Sequence, residues 1–339
     1  MEDCQSRRRM VKIPTRQHIS GRVMKNLLAA MLLVYAASLA ETAEGQPRAH
    51  ARPALSIEGN WRVNFILPME ATPATPQLVV SEQDAKAVAA IAGAALSDEF
   101  AKTLDPEVPM LVTQSDGLAI VRGQRRTRAV VLPADGMLPY TAAARTELNT
   151  PPPEGSLDNP EQRPNAERCL VGQGQPPLSS FALDSHIQIL RTRDQVVILT
   201  EYGADVRMIA MTKTHAPRVL WSQLGDSIGR WEGDTLIIET VGMPDADRVR
   251  LAPTLIVPGD ATVIERLTPI SDVELLYQFT VVDPKTYAAP WLGEFSWFRT
   301  KLPMYEHACH EGNYSLPNIL AGARHEEATA KAADAQAAR

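Results

Sequence analysis

The densest chemistry in the chain lies in Tyr305-Glu-His-Ala-Cys-His-Glu-Gly-Asn-Tyr314. An imidazole exchanges its proton near neutrality, so His310 is the candidate proton carrier. Glu311 stands beside it, and Asp226 or Glu232 is available to orient or complement it. Asn313 and Tyr314 follow at once, and Gly312 lets the backbone bend so that neighbouring polar groups converge. A structural reading stays open beside this one: His310, Glu311 and Asn313 tie strand ends to the loop ahead of Cys169 through backbone hydrogen bonds. His307 and His310 fit neither His-Glu-x-x-His nor its inverse, so no metal site is expected. Asp226-Ser227 precedes β-type sequence and lacks the strand–turn–helix setting of a hydrolase nucleophile, which makes it a turn pair. Trp221, Trp231, Tyr277 and Trp291, with Trp297 and Tyr287, either line an apolar ligand cavity or fill a core. No Gly-rich loop joins a strand to a helix, so no nucleotide cofactor is expected.

The elements that must position these residues centre on Trp221-Ser-Gln-Leu-Gly-Asp-Ser-Ile-Gly-Arg-Trp-Glu-Gly-Asp-Thr-Leu-Ile-Ile-Glu-Thr240, whose second half reads as a tight β-hairpin. Gly233 supplies the positive φ that a short turn needs, and Leu236, Ile237 and Ile238 suit a half-buried sheet. Further strands are expected at residues 55–67, with Trp61, Val63 and Phe65 on one face, and at 111–112, 119–121, 128–132, 186–191, 195–201, 206–211, 261–269, 273–282 and 291–300. Along 273–282, Leu275, Tyr277, Phe279 and Val281 share one face. Ser81-Glu-Gln-Asp84 resembles a capping box opening an Ala-rich helix over 81–103. Residues 142–168, with Pro151-Pro152-Pro153, read as a long loop, and a helix begins at Leu316 and runs into a charged Ala-rich tail over 325–339. Many strands joined by short turns predict a mainly β fold: an antiparallel lipocalin-like barrel, or a sandwich, formed by residues 55–324 with one peripheral and one C-terminal helix.

Basic residues Arg7, Arg8, Arg9, Lys12, Arg16, Arg22 and Lys25, followed by the apolar run Leu27 to Ala40, read as a signal peptide over residues 1–40, with 41–54 a linker. Ser6-Arg-Arg-Arg-Met-Val-Lys12 also suits twin-arginine export, and Met1, Met10 or Met24 could be the start. The expected location is periplasmic or secreted. The apolar run is too short for a stable membrane span. A net charge of −6 offers no broad basic surface for nucleic acid, so a small apolar molecule is the expected partner. Cys4 departs with the signal segment, leaving Cys169 and Cys309, which in an oxidising compartment are expected to pair.

From Asn159-Pro-Glu-Gln-Arg-Pro-Asn-Ala-Glu-Arg-Cys169 onward the chain resembles a family of exported bacterial proteins of uncharacterised activity. Gly225-Asp-Ser-Ile-Gly-Arg-Trp-Glu-Gly-Asp-Thr235, Glu265-Arg266-Leu-Thr, Tyr277-Gln-Phe-Thr-Val-Val-Asp-Pro284 and Ala308-Cys-His-Glu-Gly-Asn-Tyr314 carry the resemblance, which spans about residues 55–330. It makes Cys169 and Cys309 family positions and implies no activity. Gln223 replaces a usual aromatic and Gly242-Met243 a usual Asn-Phe, so a ligand of this chain would differ from its relatives' if those positions line a pocket. Two functional readings follow from the residues. One is a cofactor-independent lyase, hydratase or isomerase using His310 on a small apolar or aromatic substrate. The other is a carrier, scavenger or structural envelope protein without catalysis.

Overall fold

The computed structural model describes residues 55–63, 67–90, 118–151, 153, 155–165, 167–178, 186–244, 249–251 and 254–337. Chain contacts separate Met1–Pro53 from Ala54–Arg339, so the expected signal peptide and nearly all of the expected linker fall in the first unit, outside the described residues. Five strands come early: β1 (Gly59–Arg62), β2 (Val79–Val80), β3 (Ile120–Val121), β4 (Gln124–Arg126) and β5 (Val130–Leu132). Three follow mid-chain: β6 (Ile187–Arg191), β7 (Gln195–Thr200) and β8 (Val206–Ala210). The rest are β9 (Asp226–Glu232), β10 (Thr235–Val241), β11 (Val249–Leu251), β12 (Thr254–Ile256), β13 (Thr262–Pro269), β14 (Glu274–Val282) and β15 (Trp291–Arg299).

The main sheet runs β1-β6-β7-β8-β9-β10-β13-β14-β15 and closes where β15 returns to β1, pairing Trp61 with Arg299. The result is a closed nine-strand barrel, with β5 added beside the first half of β15. The barrel is mixed, not wholly antiparallel: β8 and β9 run parallel at Ile209↔Ser227 and Ala210↔Ile228. Geometry requires this. A closed ring with an odd number of strands cannot alternate direction all the way round, and a parallel neighbour needs a crossover instead of a tight turn. Residues 211–225, with a 3₁₀ turn at Arg218–Leu220, are that crossover.

The hairpin at the centre of the sequence forms as its residues dictate. Thr235 pairs with Glu232 across a two-residue turn, and Gly233 takes φ 61°. Strand period two then sorts the faces. Leu236, Ile238 and Thr240 of β10 pair with Leu267, Glu265 and Val263 of β13, and all six are completely or almost completely buried. Leu275, Tyr277, Phe279 and Val281 continue the same face on β14, opposite Trp297, Phe295, Gly293 and Trp291 of β15. The rings pack on one another: Tyr277 lies 4.7 Å from Trp297 and 5.1 Å from Phe295, and Phe279 meets Trp291 edge-on at 5.6 Å. Gly293 makes room for this cluster, since a Cβ there would lie 2.4 Å from Phe279 Cζ. These rings belong to one buried cluster along this wall.

One polar chain crosses that apolar interior. Arg207 Nη2 donates to Glu265 Oε1 at 2.9 Å, Tyr277 Oη donates to the same oxygen at 2.7 Å, and Leu178 N–H donates to Tyr277 Oη at 2.8 Å. Arg207 is 2% exposed and Glu265 0%. Burial raises the Tyr277 hydroxyl well above its ordinary pKa, and the Glu265 charge adds to the rise, so it stays a donor. Outside the barrel, buried Glu294 takes hydrogen bonds from Arg122, Arg126 and Gln278 and so fastens the small β2-β4-β3 sheet to the wall.

Ser81 caps the helix at residues 82–90 by accepting from Asp84 N–H, as its sequence suggests; the rest of the expected 81–103 helix lies outside the described residues. Residues 142–168 contain more structure than a loop. Thr141 caps a helix over Ala142–Asn149, where three consecutive alanines favour helix ahead of the proline cluster, and Pro160–Gln162 forms a 3₁₀ turn. The C-terminal helix, Ser315–Ala337, continues through the charged tail. No described helix is long and apolar enough to cross a membrane.

Removing one member of the buried pair strands the other charge. Arg207→Met is expected to cost about 3–5 kcal/mol in urea unfolding, and adding Glu265→Leu should recover much of it. A single-variant loss below about 1 kcal/mol would show that the network does not support the barrel.

Candidate functional site

Cys169 and Cys309 are bonded, with Cα atoms 5.7 Å apart across a sequence separation of 140. The bond fixes the chain that leaves β15 against the mid-chain loop, and several hydrogen bonds follow the same path. Thr300 N–H donates to Asn60 O at 3.0 Å, and Tyr305 N–H donates to Glu201 Oε2 at 2.8 Å. Asn313 Nδ2 donates to Glu167 O at 2.7 Å, while its Oδ1 accepts Leu316 N–H and so starts the C-terminal helix. Arg324 of that helix reaches Asp158 O at 2.7 Å.

These attachments leave a cleft of about 600 Å³ beside the β7–β8 turn. Glu167, Tyr202, Glu306, His307, Asn313, Leu316 and Ile319 are among the residues that line it. Leu316 and Ile319 are three apart on one helix, so they present one apolar face. The His307 ring lies 4.6 Å from the Tyr202 ring. His307 Nδ1 is buried with no partner among the described residues, which leaves Nε2 as the ring nitrogen a bound molecule can reach. The Glu167 carboxylate is held by Arg163, Nη2 to Oε2 2.6 Å.

Asp205 supports the cleft from behind. Its Oδ2 accepts the backbone N–H groups of Gly172 and Gly174, each at 2.8 Å, and pins the segment after Cys169 to the β7–β8 turn. A Cβ at Gly174 would lie 2.5 Å from Asp205 Cβ, so this approach requires glycine. Burial raises the carboxyl pKa; the two N–H groups and the nearby His307 oppose that rise only in part.

The residues expected to share a site are dispersed. His310 and Glu311 sit on the short helix Cys309–Gly312 and are exposed, and neither lines the cleft. Asn313 does line it, as part of the clasp, while Tyr314 is 74% exposed. Asp226 belongs to a separate cluster on the barrel exterior. Its Oδ2 lies 2.6 Å from His215 Nδ1 and accepts Ala216 N–H, and His215 Nε2 lies 3.3 Å from Glu239 Oε1. Both ring nitrogens are thus occupied by carboxylates, and the imidazole clamps the β8–β9 crossover to the hairpin. Trp221 packs in the same crossover, donating to Ala216 O at 2.9 Å and lying over Gly242, where a Cβ would be 1.9 Å from the indole. Trp231 is partly buried under the Arg191 guanidinium, and Tyr277 and Trp291 are core residues. Among the described residues no group of three or more His, Cys, Asp or Glu is arranged to hold a metal ion.

Reading the sequence missed Tyr202, Glu167, Leu316 and Ile319, and considered His307 only as a metal ligand. The available signal was the apolar i, i+3 pair just after the Cys309 motif, which marks the helix face turned toward the disulfide. Comparison of the chain with protein-family models, curated proteins and solved structures finds no match.

The raised Asp205 pKa fixes a pH dependence. A carboxyl whose folded-state pKa exceeds its unfolded value holds its proton more tightly when folded. Its stabilising contribution is therefore complete below the ordinary value of 3.8 and is lost as pH rises through the raised value. The stability of the parent relative to Asp205→Asn should be greatest near the acid end of a denaturation series and decline as pH rises past that value. A difference that grows with pH would contradict the assignment.

Proposed function

We propose that this is an exported barrel-scaffold protein that binds a small, largely apolar or aromatic molecule in the cleft beside the disulfide, not inside the barrel. One observation carries the proposal: a cleft of about 600 Å³, within the size range of small-molecule sites, joins the apolar Leu316–Ile319 face to the Tyr202 and His307 rings. The packed aromatic cluster of Tyr277, Phe279, Phe295 and Trp297 directs a ligand away from the barrel wall they occupy. Export is supported by the basic-then-apolar run at residues 7–40 and by the Cys169–Cys309 bond, which an oxidising compartment preserves.

Indole, titrated into isotopically labelled protein, should shift the NMR signals of Tyr202, Ala308 and Ile319 and leave those of Tyr277 and Phe295 in place. Ile319→Arg puts a charge on an already exposed helix position, so it should abolish the shifts while leaving the melting temperature within about 2 °C of the parent. Shifts confined to the barrel aromatics would refute the cleft.

A second reading, proton-transfer catalysis of lyase, hydratase or isomerase type, is favoured by the reachable Nε2 of His307. Under it, the parent should catalyse exchange of solvent deuterium into the α-carbon of phenylacetone, and His307→Gln should lose at least tenfold of that rate. Equal rates in parent and variant would leave a binding protein only.

A further inference from the structure

Resting on the cleft as the binding site, we infer that its ligand is an organic cation: an amine carried on an aromatic or alkyl body. The charges of the lining decide the class. Glu167 and Glu306 both border the cleft, and among the described residues no lysine or arginine does. Glu167 is already matched by Arg163, whereas Glu306 is exposed and makes no ion pair with any described residue. A bound carboxylate or phosphate would therefore meet uncompensated negative charge, and a neutral body would leave the Glu306 charge unused.

The layout of the walls fits an amphipathic molecule with one charged end. Leu316 and Ile319 offer an apolar surface from the helix, and Ala308 and Tyr202 also line the cleft. Glu306 and His307, adjacent in sequence, line the cleft as well. An ammonium beside Glu306 can donate to its carboxylate, while the body of the molecule covers Leu316 and Ile319. An ammonium brings three N–H groups and no acceptor, so the exposed carboxylate takes one or two of them and solvent the rest. A chain with net charge −6 adds a long-range field of the same sign preference, which accelerates the approach of cations.

Three probes of one shape separate the possibilities: 2-phenylethylamine, 2-phenylethanol and phenylacetate, titrated by calorimetry and NMR in low salt. The amine should bind about tenfold or more tightly than the alcohol, and phenylacetate should not bind measurably. Glu306→Gln should weaken the amine about fivefold and leave the alcohol unchanged, as expected for one partly exposed charge contact. Added salt should weaken the amine and not the alcohol. Alcohol binding equal to or tighter than amine binding, with loss of both in Ile319→Arg, overturns the cation assignment and keeps the cleft. If none of the three shifts the cleft signals, the cleft reading itself falls. Because Glu306 is exposed, an unaltered melting temperature in Glu306→Gln certifies that a change in affinity is local.

Discussion

The Cys169–Cys309 disulfide joins the end of the mid-chain loop to the segment that follows the last barrel strand, and both of the segments it joins line the cleft. Without that bond, the strap from Thr300 to Tyr314 would be held by a few single hydrogen bonds: Tyr305 to Glu201, Asn313 to Glu167, and Thr300 to Asn60. Each is worth on the order of 1 kcal/mol, while a crosslink closing so long a loop contributes on the order of 2–5 kcal/mol. The covalent term is therefore the largest single constraint on the strap. Asp205 complements it from the other side, holding Gly172 and Gly174 so that the segment beyond Cys169 cannot swing away from the β7–β8 turn.

The barrel gives this clasp a rigid base and takes little direct part in the candidate site. Its odd strand number forces one parallel pair, and the crossover that serves this pair carries Trp221 and the His215–Asp226–Glu239 cluster on the outside of the wall. Inside, the Arg207–Glu265–Tyr277 chain and the aromatic cluster occupy the same face of neighbouring strands. A lipocalin-like fold suggests a ligand in the lumen. Here the lumen wall around β13 to β15 is packed with its own rings, and open space, an apolar face and an ionisable ring come together beside the disulfide.

Much of the architecture was legible from the chain because the strands announce themselves locally. Period-two alternation fixed the inward faces of Thr262–Pro269, Glu274–Val282 and Trp291–Arg299, and Gly233 fixed the central turn. The cysteine pairing followed from counting. The parallel β8–β9 junction was not legible, since it follows from ring closure, a global property with no local residue pattern. The helix at Ala142–Asn149 was obscured by the prolines just after it, although Thr141 and three alanines favour it. The site was only partly legible. The motif around Cys309 pointed to the right neighbourhood, and Asn313 lies in the cleft, but the sequence cannot show that a four-residue helical turn directs His310 and Glu311 outward while His307 lies against Tyr202. Tyr202 and Glu167 come from segments remote in sequence, joined to the motif only through the fold.

The most direct test of a ligand site built by the clasp is crystallographic fragment soaking of the parent and of the Cys169→Ser/Cys309→Ser double variant with a common set of small aromatic compounds. The account predicts fragment density between Tyr202, His307 and Ile319 in the parent, and loss of that density in the variant while the barrel strands superpose unchanged. Fragments lodged instead among Tyr277, Phe295 and Trp297, or equal occupancy of the cleft with and without the disulfide, would contradict it.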